Sequence, residues 1–111
     1  MSVNLIEFIN LTPHNVNVVR EGEIILVIEP SGTIARCKQE TKEIGMLANI
    51  PITETVFGEV ENLPAPKENT YFIVSRLVLS ACKDRKDLLV PNELVRDEEG
   101  NIIGCSSFSV N

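Results

Sequence analysis

Short apolar runs alternate with polar turns along this chain, a pattern typical of a domain made mainly of β-strands. Val16 and Val18 alternate with Asn15 and Asn17, as expected for a strand with one buried face. Further extended segments are predicted at residues 5–11, 33–37, 50–57, 71–74, 87–90, 94–96 and 102–110.

Turn residues punctuate these segments and predict how some of them connect. Glu21-Gly22 predicts a tight hairpin, and Gly100 suits the left-handed position of a second hairpin loop over residues 97–101. Pro91 is expected to end the strand that precedes it, since proline has no amide donor. Residues 38–48 fit either a pair of strands or one helical turn around Glu43.

The run Ile24–Ile28 is apolar at every position. A strand of this kind is usually buried on both faces, either at the centre of a fold or against a partner chain. Leu77, Val78 and Leu79 add apolar surface beyond one helical stripe. A small single sheet has difficulty covering all of this surface, so a homo-oligomer is expected.

One helix is predicted directly after the strand at 71–74. Ser75 is a suitable N-cap, and the apolar face that follows consists of Leu77, Val78, Ala81 and Cys82. The resulting fold class is α+β, a mainly antiparallel sheet or small open barrel with one short helix near residues 75–83. Six to eight strands are expected, in a single domain over residues 1–111.

Composition narrows the range of partners. The formal charge of −6 disfavours binding to duplex nucleic acid and to anionic membranes, both of which select basic surfaces. Three cysteines without a CxxC pair, and no apolar signal segment, favour a reducing bacterial cytoplasm. No apolar run reaches the length of a membrane span.

Motifs for catalysis, metals and cofactors are missing from the sequence. His14 is the only histidine, and as a turn residue it needs no catalytic role. The cysteines are too far apart for a zinc-site spacing, and neither GxGxxG nor GxxxxGK[ST] occurs. We therefore expect no catalytic residue, no metal and no cofactor.

A strand that leads into a helix N-terminus creates a corner that favours anions, because the first helical amides have no internal partner. Such a corner is predicted at Ser75 and Arg76, and Arg76, Arg85 and Arg96 are expected to contribute most to binding. The simpler alternative is a solvated helix face with surface salt bridges. The candidate ligand-binding residues are Ser75, Arg76, Arg85, Asn92, Arg96 and His14.

Several segments resemble a family of short proteins common in bacteriophages, prophages and some bacterial genomes. They are Asn10-Leu11-Thr12-Pro13-His14 with Val16-Asn17-Val18, Pro30-Ser31-Gly32 with Ala35-Arg36, Phe57-Gly58-Glu59-Val60 with Leu63-Pro64-Ala65-Pro66, Ile73-Val74-Ser75 with Leu77-Val78, Arg85 with Asp87-Leu88, and Val95-Arg96-Asp97 with Gly100, Ile102 and Gly104. Together they span nearly the whole chain.

The resemblance implies a phage-type setting, in which some small proteins sequester nucleotide-derived signals of host defence. It leads to the expectation of a non-catalytic counter-defence protein that binds a small anionic, nucleotide-derived ligand in the host cytoplasm. Two alternatives stay open at this point. One is a protein-binding inhibitor or virion-associated structural protein, and the other is a small hydrolase of a nucleotide signal.

Overall fold

The computed structural model describes residues 5–111, and these form eight strands and one short helix. The expected mainly β fold with a helix near residues 75–83 is confirmed. The elements are β1 Glu7–Asn10, β2 Val16–Arg20, β3 Glu23–Ile28, β4 Arg36–Leu47, β5 Ile50–Glu61, β6 Thr70–Ile73, α1 Arg76–Ala81, β7 Leu88–Arg96 and β8 Ile102–Ser109.

Six strands form one curved sheet in the order β1-β6-β7-β8-β2-β3, and β4 and β5 form a separate pair. The larger sheet is mixed, since β6 pairs in parallel with both β1 and β7, and β2 pairs in parallel with β8. The longest ladders, β4–β5 and β7–β8, are antiparallel. The sheet curls into an incomplete barrel with β1 and β3 as its outer strands. Asn10 of β1 forms an isolated bridge with Pro30, which lies two residues after β3.

The core has two parts because successive residues of a strand face opposite sides of the sheet. In β6, Ile73 joins the cluster of Val16, Ile28, Leu89 and Cys105 on one side. Phe72 joins the larger cluster on the other side, which packs beneath α1. That larger cluster consists of Leu11, Ala35, Phe72, Val74, Val78, Leu79, Leu88 and Val90.

The helix begins as the sequence predicts, with the Ser75 hydroxyl accepting a hydrogen bond from the Val78 amide at 3.3 Å. Its buried face is different from the predicted one. Val78 and Leu79 are buried, whereas Leu77 is 42% exposed. The helix has only six residues, so the side chains that reach the sheet depend on its docking angle as well as on the helical period.

Pro91 lies within β7 and does not end it. The Leu89 carbonyl points towards β6, where it accepts a hydrogen bond from the Val74 amide at 2.9 Å. Pro91 follows two residues later, so its backbone points to the same side of β7. It lies beyond the last β6–β7 pair, Ile73 with Leu89. The missing amide hydrogen therefore breaks no ladder bond there, and β7 continues to Arg96 opposite β8.

The expected burial of Ile24–Ile28 on both faces is not found within one chain. β3 is an edge strand, and four successive side chains from Ile24 to Val27 are between 42% and 52% exposed. Only Ile28 is buried among the residues of this strand. A uniformly apolar run has the same sequence pattern at an edge as at a centre, so strand order alone decides its exposure.

Residues 38–48, which the sequence left open, belong to a long hairpin formed by β4 and β5, hereafter the arm. Each strand has 12 residues, and Ala48 and Asn49 turn the chain with positive φ angles of 49° and 64°. The arm makes the molecule elongated, with extents of 64 × 40 × 24 Å. Its radius of gyration is 17.5 Å, whereas a compact chain of this length has about 13 Å.

We predict that Gly104→Ala is strongly destabilising. A Cβ at Gly104 would lie 2.5 Å from the Asn17 carbonyl oxygen and 2.7 Å from Val19 Cγ2, so β2 and β8 would have to separate. The expected loss is about 3 kcal/mol, or roughly 10 °C in Tm by calorimetry. Gly45→Ala is the control, since nothing lies within 4 Å of its added Cβ. Equal melting temperatures for the two variants would contradict the prediction.

Candidate functional site

Arg85 is committed to contacts within the chain. Its Nε and Nη2 each donate to the Asp87 carboxylate at 2.8 Å, and Nη2 also donates to the Pro64 carbonyl at 3.0 Å. The guanidinium lies 6.0 Å from the centre of the Phe72 ring. This bonding raises the pKa of Arg85 and lowers the pKa of Asp87, in each case mainly through the hydrogen bonds that join the two side chains.

Arg96 is also occupied. Its Nη1 donates to the Gly100 carbonyl at 2.8 Å and so braces the β7–β8 hairpin loop. Arg85 precedes the start of β7 at Leu88 and Arg96 is its last residue, so roughly 25 Å of strand separates the two arginines. The structure therefore does not bring them into one site.

Of the other predicted site residues, Ser75 uses its hydroxyl to cap α1. Arg76 is exposed at the first helical position, and it forms no salt bridge with any residue of the described range 5–111. Asn92 is half-buried in the middle of β7. These three residues lie on different parts of the fold and do not converge on one ligand.

The segment Asn10–His14 has a structural role. The Asn10 side chain, 1% exposed, donates to the His14 carbonyl at 2.7 Å and to the Ile28 carbonyl at 3.0 Å. Its Oδ1 accepts from the Thr12 amide at 2.9 Å and from the Thr12 hydroxyl at 2.7 Å. His14 contributes its backbone carbonyl to this network, and its imidazole belongs to an exposed residue.

The three cysteines are free thiols. Cys105 is buried, its Sγ lies 3.6 Å from the Asn17 carbonyl oxygen, and burial raises its pKa. Cys37 and Cys82 are half-buried. Within residues 5–111, no three His, Cys, Asp or Glu side chains are grouped so that they could hold a metal ion.

A different basic site lies where β6 and β7 begin, hereafter the lysine cleft. Lys67 and Lys86 flank a cleft of about 260 Å³ that Asn69, Thr70, Tyr71 and Asp87 also line. Because β6 and β7 are parallel neighbours, the residues just before the two strands meet at one edge of the sheet. Lys86 Nζ donates to the Asn111 carbonyl at 3.3 Å.

Neither Lys67 nor Lys86 is among the candidate ligand-binding residues predicted from the sequence. Lys86 directly precedes the predicted strand 87–90, and Lys67 lies four residues before the predicted strand 71–74. These positions become informative once the two strands are known to be parallel neighbours. That pairing joins residues 16 positions apart (Phe72 with Leu88) and has no local sequence marker. The site therefore becomes visible only in the folded chain.

Comparison with protein-family models, curated proteins and solved structures gave no match for this chain. Among residues 5–111, no helix has both the length and the apolar character needed to span a membrane.

We expect Asn10→Ala to destabilise the fold strongly. The change removes four hydrogen bonds and leaves the buried carbonyl of Ile28 without this donor, at a cost of about 2–3 kcal/mol. Asn10→Asp keeps an acceptor for Thr12 but has no amide donors, so it should also destabilise at neutral pH. Thermal melts monitored by circular dichroism would measure both. Asn15→Ala, at an exposed position of the same turn, should melt within about 2 °C of wild type.

Arg85→Ala is predicted to lower stability by about 1–2 kcal/mol, because it breaks a partly buried charge-assisted pair. The folded-state pKa of Asp87 is lowered, so the pair stabilises the fold above the ordinary Asp pKa of about 3.9. This contribution is lost as pH falls through the folded-state pKa. The difference in Tm between wild type and Arg85→Ala should therefore shrink below about pH 4.

The exposed Arg76→Ala is the matched control and should change stability by less than about 0.5 kcal/mol at every pH. If Arg85→Ala and Arg76→Ala melted alike at neutral pH, the structural role of Arg85 would be refuted.

Proposed function

We propose that this protein is a non-catalytic binding protein that holds a small anionic, nucleotide-derived ligand at the lysine cleft. The observation that carries the proposal is the convergence of Lys67 and Lys86 on one cleft in a protein with a net charge of −6. A local basic site on an acidic chain is a specific feature, since the overall charge repels anions elsewhere.

The neighbouring acid does not cancel this basic site. Both carboxylate oxygens of Asp87 accept hydrogen bonds from Arg85, which compensates the negative charge. Arg85 thus serves the site indirectly. Neither Lys67 nor Lys86 forms a salt bridge within residues 5–111, and Lys86 has one neutral partner, the Asn111 carbonyl. Asn69 adds a polar side chain to the lining, and half-buried Tyr71, also in the lining, has its ring 6.4 Å from that of Phe8.

The residues of the cleft favour binding over chemistry. Lysine and asparagine side chains hold phosphate oxygens by charge and hydrogen bonding. The hydroxyl of buried Thr70 is already bonded to the Glu68 carbonyl at 3.1 Å. A nucleophile next to a base is needed for covalent catalysis, and the lining contains no histidine or cysteine. The volume of about 260 Å³ lies just below the usual range for ligand sites, so a small ligand is favoured.

The phage-type setting of the proposal is supported by the resemblance of segments such as Asn10–His14 to phage and prophage proteins. In that setting, the protein would sequester a nucleotide-derived defence signal in the cytoplasm of a bacterial host. Sequestration requires affinity and abundance and no turnover, which agrees with a shallow site made of binding groups.

A second candidate function is binding to another protein, as an inhibitor or a virion component. The exposed edge strand β3 favours it, because four successive apolar side chains accompany unpaired backbone groups. An extended segment of another protein could add to this edge as a further strand.

Mass spectrometry of small molecules that co-purify with the protein distinguishes these functions. A sequestering protein releases its ligand intact after heat denaturation, whereas a small hydrolase releases the product. A protein-binding inhibitor carries a macromolecule and leaves small molecules in solution.

Isothermal titration calorimetry with pyrophosphate and ADP-ribose tests the lysine cleft directly. We predict that Lys67→Ala and Lys86→Ala each weaken binding roughly five- to tenfold, about 1–1.4 kcal/mol, and that affinity falls as salt rises. Lys83→Ala, an exposed lysine outside the cleft, is the matched control and should bind as wild type. Equal losses in all three variants would show that only the general charge of the surface matters.

A further inference from the structure

The two faces of the arm differ in charge. Cross-strand partners share a face, so the pairing register assigns each side chain in the stretch of β5 from Ile50 to Phe57 to one side. The charged face carries the pairs Glu40–Val56, Lys42–Glu54, Gly45–Ile52 and Leu47–Ile50. The other, hereafter the threonine face, carries Gln39–Phe57, Thr41–Thr55, Glu43–Thr53 and Met46–Pro51.

The threonine face is apolar at its two ends and polar in the middle. At the tip lie Pro51 and Met46, the latter 59% exposed. At the base Phe57, 52% exposed, lines an apolar groove of about 210 Å³ together with Cys37, Leu77, Ser80 and Ala81 of the arm and α1. Glu43 is the one charged residue among the four pairs of this face.

An uncovered arm of this kind is energetically unfavourable. A two-stranded hairpin is at best marginally stable in water without a further surface to pack on. Most arm residues are exposed, including the large apolar side chains of Ile44, Met46, Leu47 and Ile50. The length and exposure of the arm therefore favour a partner surface that covers it.

We propose that a second copy of this chain covers the arm, with the two threonine faces packed together and the strands of the two arms antiparallel. Each tip, Met46 and Pro51, then fills the groove beside Phe57 and Leu77 of the other copy. In each copy the tip at Pro51 and the base at Phe57 are six residues, about 20 Å, apart along β5. The two copies are identical, so both tips reach the opposite groove at the same time.

Charge and polarity agree with this arrangement. The two-fold axis falls at the level of Lys42 and Glu54, both of which point away on the charged face. Glu43 then lies opposite the hydroxyls of Thr41 and Thr55 of the second copy, and it meets no like charge. The opposite choice, charged face on charged face, would bury the Lys42 and Glu54 charges at the axis.

The buried area suits a dimer of moderate affinity. The surface buried on each copy, from the eight side chains of the threonine face together with Leu77 and Ser80, is on the order of 600 Å². This area is near the lower end for specific interfaces. We therefore expect dissociation in the micromolar range.

Analytical ultracentrifugation tests the proposal through two matched pairs of substitutions. Wild type should sediment at tens of micromolar as a species of twice the 12.3 kDa chain mass. Phe57→Lys should weaken the dimer at least tenfold, whereas Val56→Lys, on the charged face and 50% exposed, should not. Met46→Lys should weaken it similarly, and its neighbour Leu47→Lys, 68% exposed on the charged face, should not.

Circular dichroism of each variant establishes that it is folded, and the Met46/Leu47 pair at the tip decides the matter if Phe57→Lys fails to fold. Several results would overturn the proposal. One is a monomeric wild type at these concentrations, and another is a dimer that persists in both Phe57→Lys and Met46→Lys. Equal effects within each matched pair would also reject it, as would a dimer lost only on Ile25→Lys, since that result would place the contact at β3.

Discussion

The larger sheet depends on one buried amide side chain. The outer strands β1 and β3 of the incomplete barrel meet where Asn10 bonds the carbonyls of Ile28 and His14, while its own backbone oxygen accepts from the amide of Ser31 at 2.9 Å. A buried polar group must be satisfied or it costs free energy. A side chain with both donors and acceptors is therefore required at a position that is 1% exposed.

The position of β1 determines the neighbouring features. β6 pairs with β1 in register from Glu7 with Thr70 to Asn10 with Ile73, and β7 lies on the other side of β6. This parallel arrangement places the chain before β6 beside the chain before β7, which creates the lysine cleft. The pair of Arg85 and Asp87 ties the same edge to the Pro64 loop.

The arm and the larger sheet differ in how much of their apolar surface the chain itself buries. The sheet buries side chains on both of its sides, whereas the arm has little of its own chain to pack against beyond its base at α1. Its stability then draws on cross-strand pairing and on whatever covers the threonine face. The binding proposed at the lysine cleft and the self-association proposed for the arm involve different residues, so substitutions can address each one separately.

The sequence by itself determined the local features: the hairpin at Glu21-Gly22, the loop over residues 97–101, the Ser75 cap and the mainly β class, because turn chemistry and side-chain period act over a few residues. The candidate site was not predictable in this way, since Arg85 and Arg96 show the same local pattern whether they bind a ligand or a carbonyl of their own chain. Only the tertiary structure decided that β3 is an edge, that residues 38–48 belong to a projecting arm, and that Lys67 meets Lys86. The edge and the cleft depend on which distant strands pair, and the arm projects because its two consecutive strands pair with no strand of the larger sheet. Both outcomes are fixed by the packing of the whole chain.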